Sequence, residues 1–191
     1  MSITTNVSAT DSAAAGEKSL VAQALWIGAF AIGTALAARV EIPHQPVPFT
    51  LQTLAVLLAG AFLGPRNGSL SQLTYIGMGL AGAPVFAGGA FGPSVLIGPT
   101  GGYLMAFPLA AAVVGFLVVP RAGLLRLGLG MTLGLITIFF AGALYLYAFY
   151  IRDLMAAFTG GFLLFTWWDF LKLGAATMIY REVGKRWPRI P

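Results

Sequence analysis

LGLGMTLGLITIFFAGALYLYAFYI, residues 127–151, runs without a single Asp, Glu, Lys, Arg or His. About 20 consecutive apolar residues wound as a helix cross the hydrocarbon core of a bilayer, so this stretch reads as a membrane span. Working outward, further apolar segments fall at 20–38, 49–63, 69–83, 102–119 and 160–180. The composition agrees: 58% of the 191 residues are apolar and only 9% are charged. Mean hydropathy is +0.86, whereas an ordinary soluble domain carries roughly 25% charge. Six spans would use about 120 positions, leaving little room for any extramembranous domain. The expected fold is therefore all-α, a polytopic six-transmembrane-helix bundle. The second and third segments, about 22 Å long as helices, are short for a span and must borrow flanking residues or pack inside the bundle.

The ends of the chain differ from its middle. Residues 1–19 are small and polar and read as a disordered tail. A cleaved signal peptide does not fit, because the basic n-region is missing and the first apolar stretch is too long. Residues 20–180 form the membrane domain, and 181–191 (REVGKRWPRIP) a basic end. The absence of Cys excludes disulfides and thiolate chemistry.

The net charge of +5 is mainly topological. Lys18, Arg66, Arg121, Arg126, Arg181, Lys185, Arg186 and Arg189 fall at one alternating set of segment ends, and only Arg39 and Arg152 at the other. Basic residues stay cytoplasmic, which places both termini inside. The basic end can touch anionic lipid headgroups; nothing supports nucleic-acid binding. On the inside, Gly64-Pro65-Arg66-Asn67-Gly68 is a tight turn and 120–126 is short. On the outside, 39–48 holds three prolines besides its charges, and 83–101 is long and rich in Gly and Pro. Long loops on a rigid scaffold tend to carry binding residues, so the working face is expected outside.

Asp169 and Lys172 stand midway along the last apolar segment, where each charge costs roughly 2.5–3.5 kcal/mol on insertion scales. At spacing i,i+3 they share a helix face, either as a structural ion pair or as the polar part of a ligand site. Phe165 and Trp168 lie on the same side and would supply the aromatic wall of a pocket. On the first helix, Ala24, Gly28, Ala31, Ala35 and Ala38 form a small-residue stripe, which permits close approach of a helix from this chain or from a partner. The glycines of 86–103 allow backbone to come close to a ligand, or simply make a flexible loop. No Lys-Ser/Thr follows them, so the loop is no phosphate-binding motif and no ATP is bound by this chain. Gly77-Met78-Gly79-Leu80-Ala81-Gly82 spells a dinucleotide fingerprint inside an apolar segment, with no strand before it, and is set aside. His44 is the one histidine, with no metal-ligand cluster around it. No catalytic constellation is visible, so no enzyme, metal or cofactor is expected.

Pro48-Phe49-Thr50-Leu51-Gln52, then Pro84-Val85-Phe86-Ala87-Gly88-Gly89, then Gly98-Pro99-Thr100-Gly101-Gly102-Tyr103-Leu104, and Asp169-x-x-Lys172 together resemble the BioY family of biotin transporters, in order and in spacing, over about residues 20–180. The resemblance implies the substrate-binding S component of an energy-coupling factor (ECF) transporter in a bacterial or archaeal cytoplasmic membrane. It further implies a biotin site near the outer face and, as partners, a transmembrane coupling protein and two cytoplasmic ATPase subunits that supply the energy. On this resemblance the substrate-binding residues are Asp169, Lys172, Trp168, Phe165, Phe86, Gly88, Gly89, Gly98, Thr100, Gly101, Gly102, Tyr103 and Gln52. The docking surface maps to Ala24, Gly28, Ala31, Ala35 and Ala38. Biotin offers two ureido N–H donors, a ureido carbonyl, an apolar ring and a carboxylate. Asp169 suits a ureido N–H, Lys172 either oxygen, and backbone N–H groups of 98–102 the other. The competing reading is an autonomous secondary transporter or channel for another small solute, for which an inverted repeat with broken helices is the sign; none is evident.

Overall fold

The computed structural model describes residues 4–45, 47–161, 167–187 and 189, with side chains from Ser19 onward except that of Trp167. Helix α1 spans Thr4–Ala37, so the backbone is already helical within the stretch expected to be a tail. Ala13-Ala14-Ala15, the strongest helix formers, carry the helix back beyond the apolar part. A short antiparallel ladder follows, β1 Glu41–Ile42 with β2 Phe49–Thr50, paired Glu41 to Thr50 and Ile42 to Phe49. It is a small departure from an all-helical chain. Pro43 and Pro48 sit just inside the pairing, where their fixed φ favours extended backbone.

Helix α2, Gln52–Leu80, contains the decisive break. Gly64 has φ 77° and ψ −177°, and Pro65 follows it. A side-chain-bearing residue resists that φ, while Pro is at home in the first turn of a helix, so one helix ends and the next starts with almost no loop between them. The two arms fold back on each other. A Cβ added to Gly68 would lie 2.9 Å from Gly60 Cα and 3.0 Å from the Ala59 carbonyl oxygen. The expected inside turn of 64–68 is therefore tighter than the sequence implies, and its last residues are helical.

Helix α3 is Pro93–Ile97, α4 Gly101–Leu117 and α5 Leu124–Phe149. The final apolar segment is shared by α6, Leu154–Gly161, and α7, Trp167–Val183. Helix α4 lies against the α2 hairpin: Gly60 faces the Ala111 carbonyl and Val114, and Gly115 faces the Gly64–Pro65 link. Ser69 Oγ also donates to the Pro108 carbonyl at 2.7 Å. Among the described residues, Ser19–Ala37 and Leu124–Phe149 are helices long and apolar enough to cross a membrane, and Gly101–Leu117 is apolar but shorter. The break at Gly64 keeps either arm of α2 below that length.

Large apolar side chains cover the outside of the bundle, and some polar and charged ones are buried inside it. Leu25, Leu36, Phe116, Leu125 and Met155 are exposed, while Thr34, Ser71, Gln72, Asp169 and Lys172 are buried. Thr34 and Gln72 hydrogen-bond each other across α1 and α2, and Gln72 Nε2 also donates to Ser71 Oγ at 3.1 Å. Two apolar clusters divide the interior. One gathers Val56, Tyr75, Phe86, Tyr103, Phe107 and Ile138; the other Leu57, Phe62, Val114, Val118, Met131 and Tyr180. At the C-terminal end of α4, Arg189 Nη2 donates to the Gly115 carbonyl at 2.6 Å and Arg126 Nε to the Leu117 carbonyl at 2.9 Å, satisfying carbonyls that a helix terminus leaves free.

The close approach at Gly60 gives a direct test of this packing. Gly60→Val should lower stability by about 1–3 kcal/mol through overpacking against α4, whereas Gly128→Val, whose added Cβ meets nothing within 4 Å, should change it little. Thermal unfolding of the detergent-purified variants reads the difference.

Candidate ligand pocket

A cavity of about 800 Å³ opens among the β-ladder, the start of α2, the 86–100 loop, α4, α5, α6 and α7. Its wall is mostly apolar, with Phe86, Tyr103, Leu104, Phe107, Ile138 and Phe139 contributing. Thr50, Gln52, Thr53 and Lys172 make one polar stretch of the lining, and Glu41, His44, Gln45, Ser94 and Thr100 line it elsewhere.

Lys172 and Asp169 are 4% and 0% exposed, and Lys172 Nζ lies 2.6 Å from Asp169 Oδ1. Their i,i+3 spacing on α7 fixes this geometry. Lys172 Nζ also donates to the Thr50 carbonyl at 3.1 Å, tying α7 to β2. From Thr50 a hydrogen-bonded chain runs inward. Thr50 Oγ1 donates to Gln52 Oε1 at 2.8 Å, Gln52 Nε2 to the Tyr75 hydroxyl at 2.6 Å, and that hydroxyl to the Val85 carbonyl at 3.2 Å. Phe86 packs edge-on against Tyr75, with ring centroids 5.6 Å apart.

The 39–48 and 83–101 loops are tied to each other by charged side chains. Arg39 donates to the Pro84 carbonyl, and Glu41 Oε2 accepts the Gly88 N–H at 2.8 Å. Gly88, Gly89 and Gly92 have φ of 64°, 74° and 84°, so this is where the glycine-rich stretch needs glycine.

Of the residues assigned to the site from sequence, Gln52, Phe86, Gly88, Gly98, Thr100, Tyr103 and Lys172 line the cavity. Asp169 stands behind Lys172 as its ion-pair partner. Trp168 is half-buried and lies off the lining, as does Gly89, which faces the Arg39 guanidinium. Phe165 lies outside the described residues. Gly101 and Gly102 are packing positions in the first turn of α4. A Cβ on Gly101 would strike the Leu96 carbonyl, and one on Gly102 would meet Tyr145 and, at 3.0 Å, the Ala141 carbonyl oxygen. Tyr103 lines the cavity with its ring while its hydroxyl donates to the Gly161 carbonyl at 2.8 Å.

The small-residue stripe needs a correction. Ala31 and Ala38 are wholly buried within this chain, and Ala35 packs half-buried on the first apolar cluster. They flank Thr34, whose bond to Gln72 fixes this face of α1 on α2. Only Ala24, which is exposed, and Gly28, which has open space beyond it, remain accessible to another helix. Sequence reading also passed over Thr53, Phe107, Ile138 and Phe139. Two of these carried a usable signal: Thr53 follows Gln52 directly, and Phe107 is four residues from Tyr103 on the same helix face.

Tyr75 holds the polar side of the cavity in place. Tyr75→Phe should cost about 1–3 kcal/mol of stability by leaving Gln52 Nε2 and the Val85 carbonyl without a partner, measurable as a lowered unfolding temperature.

A helical bundle that is apolar outside, holds buried polar groups and is hollowed by a pocket beside a buried ion pair has the build of a membrane protein that holds a small molecule. The BioY family model matches residues 6–189, and the chain belongs to that family. It is 38% identical over 163 residues to the biotin transporter BioY of Thermotoga maritima, covering 85% of this chain and 96% of that protein. It is also 39% identical over 153 residues to the probable biotin transporter BioY of Pyrococcus horikoshii, covering 80% and 90%. The fold superposes with TM-score 0.80 and 26% identity on the crystal structure of the S-component for biotin from an ECF-type ABC transporter, over 86% of this chain and 92% of that one.

Proposed function

We propose that this chain is the biotin-capturing S component of an ECF importer, taking the vitamin from the outer face and delivering it inward when coupled to an ATPase module. It would cross the bacterial or archaeal cytoplasmic membrane six times with both termini inside, in line with the distribution of Lys and Arg. The observation that carries the reading is the buried Asp169–Lys172 pair beside an aromatic-lined cavity, in a chain of this family. A rigid bicyclic urea needs polar partners and apolar walls; Lys172, held by Asp169 behind it, can donate to the urea oxygen, and the ring-bearing wall covers the apolar part. ATP binding falls to the partners, two cytoplasmic ATPase subunits joined through a transmembrane coupling protein.

Equilibrium binding of labelled biotin to the detergent-purified protein tests this reading. Asp169→Asn should weaken binding by roughly 2–4 kcal/mol, because an amide turns a donor toward a place that needs an acceptor and leaves Lys172 uncompensated. An Asp169→Asn protein that is monodisperse and binds like the parent would make the pair purely structural.

The docking surface reduces to the open part of α1, around Ala24 and Gly28. A bulky residue there pushes away a partner helix without entering this chain's own core. Gly28→Trp should bind biotin as the parent does yet fail to co-purify with the coupling protein and ATPases. Ala31→Trp, by contrast, should destabilise the isolated subunit, since Ala31 is wholly buried. Loss of biotin binding with retained assembly in Gly28→Trp would sink the docking assignment.

A further inference from the structure

Among the described residues, one buried hydroxyl in the cavity lining has no hydrogen-bond partner within the protein. Thr50, Gln52, Lys172 and Tyr103 each line the cavity with a hydrogen bond to protein. Thr53 lines it too and is 8% exposed, but its Oγ1 is buried and has no hydrogen-bond partner among the described residues. A buried hydroxyl without a partner is uncommon in a native interior and calls for a reason. Threonine in a helix divides between two χ1 wells, so this hydroxyl can turn to the cavity without any change in backbone.

The neighbourhood selects the ligand group it would meet. Thr53 comes three residues after Thr50, the end of β2, whose carbonyl accepts from Lys172; all three residues line the cavity, so hydroxyl and ammonium face the same ligand. That ammonium is already committed to Asp169. A ligand carboxylate on that side would be buried without a free cation, which is costly. A cyclic urea is neutral, compact and carries both donors and an acceptor, and a hydroxyl can serve either kind. We infer that Thr53 is a ligand-contacting residue that hydrogen-bonds the urea edge of biotin and sets selectivity for it. The inference rests on the biotin reading above and adds a residue that it does not use.

The test compares biotin with desthiobiotin, which keeps the urea but lacks the sulfur, on the full-length parent, Thr53→Val and Thr53→Ser. Thr53→Val keeps the shape and removes the hydroxyl; it should weaken both ligands by the same factor, about tenfold. Thr53→Ser should stay within about threefold of the parent. The unliganded Thr53→Val protein should unfold no lower than the parent, because it loses only an unsatisfied group. Parental affinity in Thr53→Val overturns the inference, as does an equal loss in Thr53→Ser, which would point to shape. A loss for biotin alone would move the contact to the sulfur ring and overturn the urea assignment. If the parent binds neither ligand, the biotin reading itself falls and this inference with it.

Discussion

Burying Asp169 and Lys172 in an apolar bundle is tolerable only as a neutral, hydrogen-bonded unit, and much of the cavity's arrangement follows from meeting that condition. Each ion taken alone would cost several kcal/mol of lost hydration. The contact at 2.6 Å offsets part of that cost for both, but an ammonium has three donors. The Thr50 carbonyl takes another of them at 3.1 Å. That bond fixes where β2 ends relative to α7. Once Thr50 is fixed, its hydroxyl orients Gln52, Gln52 orients Tyr75, and Tyr75 reaches the Val85 carbonyl. One ion pair on the last helix thereby sets the geometry of two loops far away in sequence. Such a chain is demanding in a low-dielectric interior, since any unpaired member is expensive, but when complete it specifies a single arrangement.

The second constraint is steric. Van der Waals packing has to hold helices together where water cannot drive them together, and small residues are what let backbones approach. Gly60 and Gly115 bring α4 onto the α2 hairpin, and the buried Ala31 and the Thr34–Gln72 hydrogen bond bring α1 onto the same hairpin. With the hairpin clamped on both sides, its open end, where Gln52 and Tyr75 meet, becomes a fixed polar wall. The first apolar cluster continues directly into the cavity through Phe86, Tyr103, Phe107 and Ile138. Packing and ligand cavity are one continuous surface, so residues such as Tyr103 serve both, ring to the cavity and hydroxyl to Gly161.

Apolar run length and charge made the helical segments readable, and the Gly64-Pro65 dipeptide marked the sharp reversal between the second and third. The i,i+3 spacing alone brought Asp169 and Lys172 together. What stayed hidden depends on how each helix is rotated about its axis, which is settled by neighbours. Gly101 and Gly102 look the same in sequence as Gly88 and Gly89. Yet the first two are packing positions against Leu96 and Tyr145, and the other two are turns at positive φ. Likewise a stripe from Ala24 to Ala38 says that some helix approaches, not which one. The Thr34–Gln72 hydrogen bond turns the face that carries Ala31 and Ala35 toward α2 of the same chain. The two-residue β-ladder had no periodic signal at all, since so short a pairing is set by loop closure.

An irregular stretch such as 81–100 is tolerated beside an apolar bundle only if its backbone groups find partners, because lipid offers none. Here the partners come from several directions. The Gly92 N–H donates to the Gly79 carbonyl at 2.8 Å and the Phe86 N–H to the Ala90 carbonyl at 3.1 Å. Glu41 takes the Gly88 N–H, Arg39 serves the Pro84 carbonyl, and Tyr145 donates to the Leu96 and Ile97 carbonyls. Charged side chains from the first loop and hydroxyls from α5 therefore do for this segment what a ladder does for a strand. The glycines supply the turns and the borrowed partners supply the order. A stretch whose composition suits a flexible loop becomes a defined wall of the cavity, held at both ends by elements that themselves line or flank the site.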